Sequence, residues 1–475
     1  MKAIQFTKPA IFLFYAVACI NKNHSETIKD NTTKDTVVAA KTVISDTFEA
    51  GKVIPAVFCR ANTTQSYALY IPAKGNNEAM PVIYFFDPHG AGSFPLQKYK
   101  ALADLYGFIL IGSNNSKNGN DWSTLESTWS ALFDDSQKRL KINDSRIYTC
   151  GFSGGAKVAS YMGMNHPEVK GVIANGAGLP DMTHAGNFHF SFTAIAGEGD
   201  MNMTDLVAIN SSLDKTPTRH RILVFDGKHE WAPENTMSIA FTGLQLDAML
   251  EKQIPLDEAF ISHYIAGSKR RIDAHLKTNN YPEAESECRL SINLLDGLTG
   301  NVNWFKEKDA SLKNSPVYQK QWQAKQNLLA AEQNTKELYM QQFQQGDVNY
   351  WVKTITNLQA KAKASTAEGA MNQRLLAYLS LAFYSISNQL ITGHRDKEAQ
   401  HFVDLYKMVD ATNSEAWYFS AILNARNNNA NATRDDLLKA AANGFKDKDR
   451  MMQQPEFLNL GTQINLVEIE SLMEK

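Results

Sequence analysis

Cysteine is scarce in this chain. Four in 475 residues, at positions 19, 59, 150 and 288, are too few for a disulfide framework, and their spacing fits no zinc pattern. Neither charge dominates: 48 Lys plus Arg face 50 Asp plus Glu, which gives no electrostatic case for a nucleic-acid partner. The apolar stretch near the start, Ala10–Ala18, is too short to cross a bilayer. No cofactor and no metal is expected. What remains is ordinary globular composition, 43% hydrophobic and 21% charged. The chain is too long for one ordinary core, so two or more domains are expected.

Lys2 and Lys8 flank the start of the short apolar stretch, and Ala16-Val17-Ala18-Cys19 closes it. A basic start, a short apolar core and small residues at its end mark a signal peptide. The last four residues resemble the lipobox of bacterial lipoproteins, with Ala16 where leucine is usual. The resemblance implies a lipid on Cys19 and a place in the cell envelope, with that anchor as the sole membrane contact. The alternative is a plain cleaved signal and a periplasmic or secreted protein. From Ile20 to about Ser45 the chain is polar and rich in Asn, Lys, Thr and Asp. Residues 1–18 are thus expected as signal peptide and 19–47 as a flexible tether.

The chemistry centres on Arg146-Ile-Tyr-Thr-Cys-Gly-Phe-Ser-Gly-Gly155. A short β-prone run enters Gly151-Phe152-Ser153-Gly154-Gly155, and a plausible helix follows from Ala156. This fits G-x-S-x-G, the sharp strand-to-helix turn that presents a serine hydroxyl. Cys150, just before it, reads as a small core residue. Upstream, Pro81–Phe86 is a continuous apolar run of the kind buried on both faces of a sheet. It leads into Asp87-Pro-His-Gly-Ala-Gly92, a loop whose glycines suit backbone N–H groups turned toward an oxyanion. His89 is expected to brace that loop. Phe108–Ile111 is the next buried strand. The polar loop after it, together with Trp122, makes Asn114, Asn115 and Trp122 candidate substrate contacts. Downstream, the strand His189–Ala196 ends in Gly197-Glu-Gly-Asp200, and Arg221–Phe225 runs into Asp226-Gly-Lys-His229. The link from Asn175 to Phe188 is short and leaves no room for a helical lid. Alternating strands and helices predict a mostly parallel sheet covered on both faces.

Ser153, Asp200 and His229 therefore follow one another in the order serine, acid, histidine, each just past a strand end. With the His89-Gly90-Ala91-Gly92 loop they resemble the α/β-hydrolase superfamily. The resemblance is to its compact esterases: feruloyl esterases, polyhydroxyalkanoate depolymerases and dienelactone-hydrolase-like enzymes. It covers less than half the chain, about residues 50–250. It implies a serine hydrolase, most simply a carboxylic-ester hydrolase, with Ser153 as nucleophile, His229 as base and Asp200 as its orienting acid. The backbone N–H groups of Ala91 and Gly154 would form the oxyanion hole. The substrate would be a small or polymer-borne ester. A serine peptidase shares the same chemistry. A binding lipoprotein with a vestigial hydrolase is the reading from another class.

After Pro255 glycine thins out and the apolar spacing turns to three and four. Helices are expected over Leu256–Leu276, Tyr281–Leu295, about Pro316–Gln345, Asp396–Val409, Ser414–Arg426 and Thr433–Gly444. Tyr281-Pro-Glu-Ala284 with Cys288 and Ile292 resembles half of a tetratricopeptide unit, with an irregular period. The expectation is an α/β-hydrolase domain over 48–253 followed by an all-α, tetratricopeptide-like domain over 254–475. The second would offer a surface for a protein partner.

Overall fold

A computed structural model describes residues 47–73, 78–180, 183–343, 345 and 348–473. The expected signal peptide, Cys19 and almost all of the tether lie outside the described residues. The chain falls into two compact units, one ending at Ala324 and the other beginning at Lys325.

The first unit is built on an eight-stranded sheet. Its strands are β1 (Ile54–Phe58), β2 (Ser66–Tyr70), β3 (Met80–Phe86), β4 (Ile109–Ser113), β5 (Ile142–Phe152), β6 (Val169–Asn175), β7 (Ser191–Gly197) and β8 (His220–Phe225). Their order is β1-β2-β4-β3-β5-β6-β7-β8. β2 runs antiparallel to both its neighbours, and every pairing from β4 to β8 is parallel. Parallel neighbours need crossovers. These are α1 (Ser93–Tyr106), α2 (Trp122–Arg139), α3 (Gly154–Asn165) and α4 (Met203–Leu213), with α5 (Glu234–Leu250) closing the sheet. This is the mostly parallel α/β-hydrolase architecture.

The strand sequences explain the layering. Tyr84 packs on Trp129 of α2 across one face, while Phe85 packs on Tyr99 of α1 and on Trp231 across the other. Successive residues of β3 are thus both apolar because both faces are covered. The chain leaves β3 for β4 on one side and returns as β5 on the other. That reversal opens a crevice at the C-terminal ends of β3 and β5, where open α/β sheets bind ligands.

The structure corrects the expected boundary at 253/254. Three helices beyond it, α6 (Glu258–Lys277), α7 (Tyr281–Leu295) and α8 (Val302–Lys313), belong with the sheet. Ile261, Ile265 and Ile272 of α6 and Ala284, Cys288 and Leu294 of α7 share one core with Leu244 and Met249 of α5. The reason is that α5 is apolar nearly all round, with Phe241, Leu244, Leu246 and Met249 all buried, so it needs cover beyond the sheet. The composition change at Pro255 marks a change of element type within one core. The unit boundary falls instead inside the long helix α9 (Pro316–Phe343).

The second unit is all-helical. After the rest of α9 come α10 (Val348–Lys361), α11 (Ala367–Thr392), α12 (Asp396–Val409), α13 (Ser414–Arg426), α14 (Ala430–Ala442) and three short helices, α15 (Lys448–Gln453), α16 (Pro455–Asn459) and α17 (Leu466–Leu472). Trp351, Phe383, Phe402, Tyr406 and Phe419 form its core. Among the described residues, α11 is the one helix long and apolar enough to cross a membrane. It is also a core helix: Leu379 and Phe383 are buried, and Arg374 is paired with buried Glu332 of α9.

Candidate active site

β5 ends in a turn that only this sequence pattern fits. A Cβ on Gly151 would run into the carbonyl oxygen of Gly155, and one on Gly155 into that of Phe86. Both positions must be glycine for α3 to approach β5 and β3 this closely. Between them Ser153 sits at φ 53° and ψ −122°, a conformation rarely taken by a residue with a side chain. Its N–H donates to Asn175 O at 2.8 Å, which helps hold the turn against β6.

The turn aims Ser153 Oγ at the histidine loop after β8. His229 Nε2 lies 2.9 Å from Ser153 Oγ, and His229 Nδ1 lies 3.0 Å from Asp200 Oδ2. Asp200 follows β7 and is fully buried, whereas the His229 side chain keeps 22% exposure. A carboxylate on Nδ1 fixes the tautomer whose Nε2 accepts from the serine hydroxyl. Competing acids do not take this place: the His229 ring bonds to Asp200, with Asp226 and Glu198 left out of the line.

Second contacts hold each member of the line. Asp200 Oδ1 accepts the N–H of Asn202 at 2.8 Å, and the Asn202 amide donates to Gly176 O at 2.7 Å. Phe152 packs on the His229 ring at 4.7 Å and on Trp231 at 5.6 Å. Buried Asn175, at the end of β6, clamps the histidine loop from both sides. It donates to Glu230 O at 3.1 Å and accepts from Ala232 N at 2.7 Å. Tyr99 adds a bond to Ala232 O at 2.7 Å.

The loop after β3 faces the elbow. Asp87 Oδ1 accepts the N–H of His89 at 2.9 Å, and its Oδ2 accepts Trp231 Nε1 at 2.9 Å. One buried carboxylate thus ties this loop to the histidine loop. Burial pushes the Asp87 carboxyl up, but the donors from His89 and Trp231 outweigh that and hold it below the usual range. His89 itself is 82% exposed, with its ring 3.4 Å from Asp87 Oδ1. Among the described residues, no hydrogen bond takes up the N–H of Ala91 or of Gly154. Gly154 opens α3, whose first N–H groups have no partner within the helix. Cys150, beside this machinery, is fully buried, and burial raises its thiol well above the ordinary value.

No family model matches the chain, and no curated protein matches it. Solved structures match part of it. The fluorophosphonate-binding serine hydrolase FphF of Staphylococcus aureus aligns with 38% of this chain and 92% of its own, at 9% identity and TM-score 0.30. Est1E from Butyrivibrio proteoclasticus aligns with 41% of this chain and 99% of its own, at 13% identity and TM-score 0.33. An acylaminoacyl peptidase of Pyrococcus horikoshii aligns with 39% of each chain, at 11% identity and TM-score 0.30. Likeness at this level decides neither substrate nor reaction, so the site's own geometry has to carry the reading.

The other residues named from sequence divide. Asn114 and Asn115 are engaged in bracing. Asn114 donates to Pro55 O and Ser66 Oγ, while Asn115 accepts from Ser66 N and donates to Thr64 O. Their amides knit the loop after β4 to β1 and β2, a bracing role beside the substrate contact expected of them. Trp122 begins α2 and stacks on Tyr161 of α3, with ring centroids 4.3 Å apart. Asn118 carries no signal of its own in the sequence. Its side chain lies against Gly154, so close that a Cβ there would collide with Asn118 Oδ1. Its own N–H is held by Pro88 O at 2.8 Å. Asn175 and Asn202 carry no such signal either. A single Asn at a strand end gives no periodic signal, and its partners lie far away in sequence.

Proposed function

We propose that this protein is an extracytoplasmic serine hydrolase that cleaves carboxylic esters through an acyl-enzyme. The observation that supports this best is the continuous line Asp200–His229–Ser153, with bonds of 3.0 and 2.9 Å. Serine is a weak nucleophile at its free pKa and needs such a base. Ser153 Oγ attacks the acyl carbon while His229 Nε2 takes its proton. The carbonyl electrons move to oxygen, and the N–H groups of Ala91 and Gly154 stabilise that oxyanion. Each such donor is worth roughly 3 kcal/mol of barrier. The tetrahedral species collapses, the alcohol leaves, and it takes the proton from His229. Water then attacks the acyl-enzyme, gives its proton to His229, and the acid leaves as Ser153 Oγ recovers that proton. Asp200 holds the ring and stabilises the imidazolium throughout. Asn118, lying over Gly154, would be a further contact for the bound acyl group.

Purified protein assayed on aryl esters, feruloyl esters, acetylated sugars and peptide amides tests the reading. Turnover of an ester is expected, with a fluorophosphonate probe labelling Ser153. Ser153→Ala is expected to lower kcat by about a million-fold and to abolish labelling. Turnover confined to the amides supports a peptidase instead. No turnover and no labelling at all would leave a binding lipoprotein.

The location rests on Ala16-Val17-Ala18-Cys19. A diacylglyceryl group on the Cys19 thiol brings two acyl chains, which hold a protein to a bilayer far better than one. Cys19→Ser is expected to move the protein from the membrane fraction to the soluble fraction. A variant that stays with the membranes overturns the lipid anchor.

A further inference from the structure

A second cavity, of about 400 Å³, lies between α5 and α6 in the first unit. None of Ser153, Asp200 and His229 lines it. Its room comes from Gly267, midway along α6, whose missing side chain leaves the wall open. A Cβ there would meet nothing closer than Arg271 Nη1 at 3.4 Å and Arg270 Nη2 at 3.8 Å. Glycine is among the poorest residues for a helix interior, so helix stability does not account for it.

The charge at this opening is one-sided. The guanidinium groups of Arg270 and Arg271 converge on the Gly267 position, and His263 stands on the same helix face. No aspartate or glutamate lines the cavity. Arg271 gives Nη2 to Glu287 Oε1 at 2.7 Å, while its Nη1 stands at the Gly267 position. Arg270 is exposed and makes no hydrogen bond or ion pair with a described residue. Two neighbouring guanidinium groups with spare donors favour a planar or tetrahedral oxyanion, which accepts from both. The remaining wall differs in kind. Tyr106 Oη bonds to Ser238 Oγ at 3.0 Å and Thr242 Oγ1 at 2.8 Å, so these hydroxyls are committed to one another. Phe260 and Ile239 add apolar surface beside them.

We propose that this cavity binds a small organic anion: an oxyanion head, carboxylate or phosphate monoester, held by Arg270 and Arg271, with a short apolar body against Phe260 and Ile239. The volume lies in the range of small-molecule sites. The test is calorimetric titration of the full chain carrying Ser153→Ala, so that no probe is turned over. The probes are benzoate, phenyl phosphate and, as the neutral match, benzyl alcohol. At least one anion is expected to bind with Kd of about 1 mM or tighter, and benzyl alcohol at least about tenfold more weakly. Whichever anion binds more tightly identifies the head group. Arg270→Gln removes an unpaired, exposed charge, and Gly267→Leu fills the space while keeping the charges. Each is expected to weaken anion binding by about tenfold or more. Circular dichroism reports whether each variant folds, and Arg270→Gln carries the test by itself if Gly267→Leu does not. No heat from either anion overturns the proposal, as does equal binding of benzyl alcohol or undiminished binding by Arg270→Gln.

Discussion

The first unit buries two carboxylates near the same two strands and uses them differently. Asp200 follows β7 and meets one ionisable partner, a histidine that is itself partly open to solvent, beside the backbone N–H of Asn202. Asp247, on α5, meets two arginines, Arg219 just before β8 through Nε at 2.8 Å and Arg221 of β8 through a bidentate contact. Thr193 takes the remaining Arg221 Nε at 2.8 Å. Guanidinium does not lose its charge in this setting, so the Asp247 cluster is closed and static. The Asp200 pair ends on a titratable ring whose far nitrogen reaches a hydroxyl. A buried carboxylate becomes a device for moving protons only when its partner can give one up and pass it on. The same buried group beside arginine can do no more than hold α5 to the sheet.

Removing the charge from each tests that contrast. Asp200→Asn should keep the fold and lower kcat by about ten-thousand-fold, because the amide no longer selects the tautomer that accepts from serine. Asp247→Asn should do the reverse. It leaves two arginines facing an amide in a buried site, and breaking such a pair costs about 3–5 kcal/mol. Chemical denaturation would measure that loss, while activity per folded molecule stays near that of the unaltered chain. An Asp247→Asn protein with normal stability and lost turnover would erase the distinction.

How legible this was from sequence depends on the kind of signal. The elbow was legible because Gly151 and Gly155 are forced by backbone contact, and a forced residue leaves a fixed spacing. Asp200 and His229 were legible through their places at strand ends, which parallel α/β topology makes the catalytic edge. The helices α7 and α12 were legible to the residue from their apolar period of three and four, and α13 from its apolar run between polar Asn-rich turns. The short antiparallel strand β1, with Phe58 61% exposed, carries no buried run and escaped notice. The unit boundary escaped for a different reason. Composition reports element type, whereas a core is shared by elements that touch, and α6 and α7 share theirs with α5. The bracing by Asn114 and Asn115 was not legible, because their partners Pro55, Thr64 and Ser66 lie far away in sequence and meet them only in the fold.

The smallest expected effect concerns Asp87, which stands between the two cases. Like Asp247 it is a closed buried acceptor, yet it braces the same loops that carry Ala91 and His229. Its oxygens take the N–H of His89 and the indole N–H of Trp231. Asp87→Asn can still accept one of these, but its NH₂ then faces the other donor, a loss of about 1–3 kcal/mol. The pH dependence isolates the charge. Burial raises the Asp87 carboxyl, and the His89 ring, the Trp231 indole and the His89 N–H together more than reverse this, so its folded value lies below the ordinary 3.8. A lowered folded pKa stabilises the protein above the unfolded value, and that stabilisation is lost as pH falls through the folded one. The stability gap between Asp87→Asn and the unaltered chain should therefore be widest near pH 7 and narrow below pH 3.8. Asp247 contributes its own acid sensitivity to both proteins equally, so it cancels in the difference. Denaturation midpoints followed from pH 7 to about pH 3 check this. A gap that stays constant across that range would mean that Asp87 acts through shape alone, with no part played by its charge.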